Sequence, residues 1–190
     1  MKKLMLFVMA LLMLTITDRV KAQDDAMMKA WEKYMTPGDM HAMIAKSDGT
    51  WNADVTMWMK PGAPPEKSTG VCENKMILGG RYQQTIHRGT AMGKPFEGMG
   101  LMAYDNAKKI FIWTWIDNMG TGVMYLEGTW DEATKTINFK GKSVDPSTGK
   151  DMDIREVYKQ VDNNNEFMEM YCTVDGKEMK TMEIKFTRQQ

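Results

Sequence analysis

Little in this 190-residue chain is suited to catalysis. Two cysteines and two histidines are too few for a disulfide framework or a clustered Cys/His metal motif. There is no Ser/His/Asp order, no phosphate-cradling glycine loop and no clustered metal-ligand spacing. No charge of one sign dominates, since 25 basic residues balance 25 acidic ones. Without a basic stripe, nucleic acid and anionic membrane surfaces are poor partners. No apolar run is long enough for a transmembrane helix, which needs about 20 residues. Internal repeats and low-complexity tracts are absent as well.

The longest apolar run, Leu4 to Ile16, follows the basic start Met1-Lys2-Lys3 and precedes Val20-Lys21-Ala22. Its length, flanks and small-residue end describe a signal peptide over 1–22, cleaved before Gln23. No cysteine follows it, which argues against a lipid anchor. Removal takes Lys2, Lys3, Arg19 and Lys21 but only Asp18, leaving a net charge of −3. The expected product is periplasmic or secreted, with no stable membrane insertion. Its 168 residues suit one domain, burying roughly 70% of the unfolded surface. Export permits a disulfide between Cys72 and Cys172, but the two lie on strands far apart in chain order and are read as unbridged.

Residues 23–48 read as a helical segment. Met27, Met28, Trp31, Tyr34 and Met35 are spaced like one helical face. Thr36-Pro37-Gly38-Asp39 reads as a second start, with Thr36 as N-cap and Pro37 first in the helix. Met40, Met43 and Ile44 form its buried stripe, His41 faces solvent, and Asp48-Gly49 ends it. From residue 49 onward ten short strands recur: 51–59, 68–77, 82–88, 96–104, 110–117, 122–130, 135–143, 151–161, 166–174 and 177–188. Turn signals separate them, among them Gly79-Gly80, Asp105 to Lys109, Asp145 to Gly149 and Asp175-Gly176. Short connections make neighbours antiparallel. The fold class is therefore all-β, an antiparallel up-and-down barrel of about ten strands with the helical segment capping one end. Ten strands enclose a ligand-sized cavity.

The richest stretch is Phe96 to Thr121. Phe111, Trp113, Trp115 and Asp117 alternate with Ile110, Ile112, Thr114 and Ile116, so the rows face opposite sides. Both are largely apolar; one is expected to line the interior and the other to lie under a covering element. Gly98 and Gly100 share one row of the preceding strand and mark a bulge, a bend or a close approach.

Taken in order, several pieces resemble domain-of-unknown-function family 1579, regarded as lipocalin-like, calycin-type barrels. They are Gly49-Thr50-Trp51, Leu78-Gly79-Gly80-Arg81-Tyr82, Gly93 to Gly98, Ala103-Tyr104-Asp105, Trp115 to Thr121 and Met182-Glu183-Ile184 before Thr187-Arg188. The family favours glycine where Ala103 stands. The resemblance implies the barrel and export; it carries over no catalytic residue.

The candidate ligand-binding residues are Tyr104, Trp113, Trp115, Asp117, Arg155, His87 and Arg81. The aromatic ones either wall a cavity or are ordinary packing. Asp117, if buried, needs a partner, for which Arg155, Arg81 and Arg188 are available. His87 on an inward strand can hydrogen-bond or serve as an axial haem ligand, a use some related barrels make of histidine. Eighteen methionines remain after cleavage, about a tenth of the chain. Thioethers suit copper(I), and Met40-His41-Ala42-Met43 and Met179/Met182 have suggestive spacing, but methionine also fills irregular cores. No resident metal or cofactor is expected on balance. The preferred reading is an exported binder of a small, largely apolar molecule. The alternatives are a metal or haem carrier using Met and His, and a barrel enzyme using Asp117 with an arginine or His87.

Overall fold

The computed structural model describes residues 23–174 and 176–190. The expected signal peptide and Asp175 lie outside the described residues. The chain divides into two units after Thr36. In the first, helix α1 spans 23–35. Trp31 and Tyr34 meet edge-on at 6.0 Å, and Thr36 Oγ1 donates to the Glu32 carbonyl at 2.7 Å.

The second unit opens with α2 (Asp39–Ala45). Ten strands follow: β1 (Gly49–Met57), β2 (Glu66–Ile77), β3 (Tyr82–Ala91), β4 (Lys94–Asp105) and β5 (Ile110–Asp117). Then come β6 (Met124–Asp131), β7 (Thr136–Asp145), β8 (Lys150–Gln160), β9 (Asn165–Val174) and β10 (Lys177–Arg188). Each pairs antiparallel with its sequence neighbour, and β1 pairs with β10 to close the barrel. Closure removes the sheet edges that would otherwise template aggregation.

Alternation decides the interior. Phe111, Leu126, Ile137 and Phe139 point inward and are at most 1% exposed. The outer row carries charges such as Asp54, Glu73, Arg88, Glu127, Lys140 and Glu183. That is the reverse of a barrel built for lipid, whose outside is apolar. No helix of the described residues is long and apolar enough to cross a membrane. The outer row of β5 is not packed away as expected, for Ile116 is 41% exposed. Met59 also leaves the inner row: β1 ends at Met57 and Met59 is exposed.

α2 caps one end. It starts two residues later than its sequence suggests, with Gly38 as N-cap. Thr36 is spent on Glu32 instead. His41, expected in solvent, is buried; its Nδ1 accepts the Gly38 N–H at 3.1 Å, and burial lowers its pKa. Ile44 joins the core, with Met40 and Met43 packed beside it.

Below α2 a polar plug seals the barrel around Ser47, itself buried. Ser47 Oγ donates to Glu166 Oε2 at 2.9 Å and lies 3.2 Å from the Tyr158 hydroxyl. Asn74 Nδ2 donates to Ser47 Oγ at 3.0 Å, and Trp51 Nε1 to the Ser47 carbonyl at 2.9 Å. Arg188 stacks over Trp51 at 4.1 Å and donates to the carbonyls of Asp48, Lys46 and Asn163. These bonds satisfy the backbone groups that the end of a short helix leaves open.

Candidate functional site

At the end away from α2 the inner residues Val55, Met57, Phe96, Trp115, Met124, Met152 and Met182 are all only half-buried. One wall there is a continuous ring contact. His87 on β3 meets Phe96 edge-on at 5.9 Å; Phe96 stacks on Trp115 at 6.4 Å and 18°; Trp115 meets Trp113 at 5.9 Å. Gly98 and Gly100 make room for the indoles. A Cβ at Gly98 would lie 2.2 Å from the Trp115 ring, and one at Gly100 would lie 2.0 Å from Trp113. The glycines therefore mark a close approach and not a bulge, since β4 pairs without a break on both sides.

Asp117 is half-buried at the edge of this wall. Its Oδ2 accepts Trp115 Nε1 at 2.8 Å, and its Oδ1 accepts the N–H groups of Met119 at 2.9 Å and Gly120 at 3.0 Å. Asp105 and Asp131 do the same two and three residues on. Asp117 is thus an Asx-turn residue closing a hairpin, and no arginine among the described residues pairs with it. Arg155 is on the outer row, bidentate to Glu178 at 2.7 and 2.8 Å and 3.8 Å above Tyr171. Arg81 is exposed in the β2–β3 turn, donating to the Leu78 carbonyl at 3.1 Å. Arg188 belongs to the plug. The expected carboxylate–arginine pair is not formed, because alternation and hairpin position send each arginine elsewhere. Nor do Asp117 and His87 form an acid–base pair, since β4 lies between their strands. Tyr104 sits toward α2, 4.9 Å from Phe111 and 5.8 Å from His41. Of the seven candidates, then, Trp113, Trp115 and His87 share one wall and Asp117 edges it.

Reading the sequence alone missed Phe96 and Glu156. Glu156 on β8 is in phase with Ile154 and Tyr158, which is the signal that could have found it. It points inward and is 4% exposed, and burial pushes its carboxyl up to about 8. His87 is 6% exposed, and burial lowers its pKa, so it is neutral at pH 7. Neither side chain has a hydrogen-bond or ion-pair partner among the described residues. Every fully enclosed side-chain nitrogen or oxygen among those residues has one. The free atoms of Glu156 and His87 therefore border space that water reaches. β3 and β8 stand five strands apart in the ring of ten, on opposite walls.

Cys72 and Cys172 are free and buried on inner rows, and burial pushes the Cys72 thiol up to about 12. Such thiols are inert. Among the described residues no three His, Cys, Asp or Glu side chains gather as a metal site. In Met40-His41-Ala42-Met43 the thioethers pack on the core while His41 Nδ1 takes the Gly38 N–H. A shallow groove of about 480 Å³ lies where Ala53, Gly70 and Gly89 thin the wall between β1, β2 and β3.

Fold and site together define a closed ten-stranded antiparallel barrel, plugged at one end and walled by aromatic rings toward the other. The chain belongs to the family described as "Protein of unknown function (DUF1579)", whose sequence profile matches residues 36–188. Among solved structures it is similar to Rv2717c from M. tuberculosis, at 13% identity and a TM-score of 0.61. That alignment covers 82% of this chain and 100% of the other. It is also similar to the S-type phycobiliprotein lyase CPES from Guillardia theta, at 9% identity and a TM-score of 0.56, over 80% and 94% of the two chains. Identities this low speak for the fold alone. No curated protein matches the sequence.

Proposed function

We propose that this chain is an exported carrier that holds a small, largely apolar molecule against the Phe96–Trp115–Trp113 wall. The observation that carries the reading is that wall: three rings in contact, half-buried, set in place by Gly98 and Gly100. Apolar, aromatic-lined concavities with few polar groups are the usual form of small-molecule sites. Export rests on the leader-like residues 1–22. Native mass spectrometry of protein purified from its own host, with organic extraction, is expected to find a stoichiometric apolar compound. Bare protein that also takes up no added apolar probe overturns the reading.

A haem carrier is the second reading, favoured by one observation: His87 faces inward, neutral and without a hydrogen-bond partner among the described residues. A Soret band in the host-purified protein that is lost in His87→Ala supports it. A host-purified protein without that band that also fails to take up added haemin counts against it.

A further inference from the structure

Glu156 is the strongest unexplained group in the molecule. It is a carboxyl on the inner row of β8, almost fully out of solvent, with no donor among the described residues. Its cross-strand neighbours on the same face are Phe139 and Met170, both apolar. Leaving a carboxyl so placed without a donor is costly, and proteins normally supply one. Here the missing donor can come from a guest, because the oxygens of Glu156 are not fully enclosed by the protein.

The rest of the interior selects the sign of the guest. Away from the exposed hairpin tips the inner row holds no lysine among the described residues. Its arginine, Arg188, is committed to the carbonyls of Asp48, Lys46 and Asn163. Toward α2 the interior also holds the Tyr104 ring and His41, whose Nδ1 accepts the Gly38 N–H; the other titratable groups facing the interior beside Glu156 are His87 on β3, Cys72 on β2 and Cys172 on β9. Burial keeps the imidazole and both thiols uncharged at pH 7. Tyr158 and Glu166 are tied up in the plug, and Asp117 in its turn. An anionic guest therefore meets no free cation here, whereas a protonated nitrogen meets a carboxyl that lacks donors. Charge-assisted N–H···O bonds are the strongest complement such a group can find.

We propose that Glu156 is the polar anchor of the barrel and that its ligand is an apolar ring compound bearing an amine. The rings lie on Trp113, Trp115 and Phe96, and the ammonium donates to the Glu156 carboxylate. This rests on the carrier reading above and names its ligand class. On binding, the proton of the neutral carboxyl passes to solvent and an ion pair remains. At pH 7 each amine bound therefore releases up to one proton.

The test compares three probes of one ring system on the full chain: 1-naphthylmethylamine, 1-methylnaphthalene and 1-naphthoate, by calorimetry at pH 7 in two buffers of different ionisation enthalpy. The amine is expected to bind about tenfold tighter than methylnaphthalene, with proton release, and the carboxylate weakest. Glu156→Gln, similar in shape, is expected to bring the amine down to the affinity of methylnaphthalene and to abolish proton release. A wild-type far-UV circular dichroism spectrum and a cooperative urea transition show that the variant is folded. Equal binding of amine and methylnaphthalene, or an amine preference that survives in E156Q, overturns the anchor and leaves the apolar carrier standing. Failure of all three probes to bind overturns the carrier reading itself, and the anchor with it.

Discussion

A carboxyl can sit in a barrel without a donor only by staying protonated, and this makes Glu156 a measurable liability. Its pKa rises from 4.5 in the open chain to about 8 in the fold through burial alone. A raised pKa means that the favourable contribution is complete below the unfolded value and is lost as pH climbs through the folded one. Between about pH 4.5 and 8 the unfolded chain ionises while the folded one does not. The wild type should therefore lose stability over this window relative to E156Q, by a few kcal/mol in order of magnitude. Denaturant titrations of both proteins from pH 4.5 to 8.5 measure the difference, and subtraction removes the contributions of His41 and His87. Parallel curves would mean that Glu156 is already ionised or already paired. Asp117 teaches the opposite lesson: it drew attention on the aromatic row, yet its oxygens are filled by two turn amides and an indole.

Among the elements, β4 is the one on which the site depends. Its glycines are shaped by their neighbours across the ladder to β5 and not by any turn. Gly100→Ala puts a methyl 2.0 Å from the outer edge of Trp113, whose ring must swing away. Overpacking of this kind costs roughly 1–3 kcal/mol. Urea unfolding should show that loss, and near-UV circular dichroism should show the indoles displaced. Wild-type stability with an unaltered spectrum would deny β4 this role. The hairpins are more uniform: Asp105, Asp117 and Asp131 each cap a turn through the same two backbone amides, and Lys109 and Lys135 near two of these tips adopt left-handed φ of 58° and 56°.

At the scale of the whole molecule, closure is sealed by Ser47. Its hydroxyl joins the segment after α2 to β2, β8 and β9 through Asn74, Tyr158 and Glu166. Burial already raises the Glu166 carboxyl, and the bonds from Ser47 and Tyr158 partly offset that. Ser47→Ala leaves buried polar atoms short of a partner, which costs about 1–3 kcal/mol. The unfolding free energy from urea titration should fall by that amount, while apolar probe binding at the other end stays unchanged. If probe binding falls as much as stability does, the two ends are not independent.

The order and number of the strands were legible in the chain because alternation and turn chemistry are local, and nine short connections leave an antiparallel meander as the arrangement. The two rows of β5 were legible too, with Trp113 and Trp115 as candidate cavity walls, but which row turns inward is fixed only by the ring of strands. The burial of His41 was not, since it depends on Tyr104 and on a helix that starts at Gly38 instead of Thr36. Partners were less legible still. Arg155 falls outside because it is one residue out of phase with Glu156, and its charge goes to Glu178, 23 residues away. The same single-residue step places Glu156 inside, where only the closed ring decides that no donor reaches it. Local pattern thus determined the barrel, while contact across the barrel decided which of its polar groups remain unpaired.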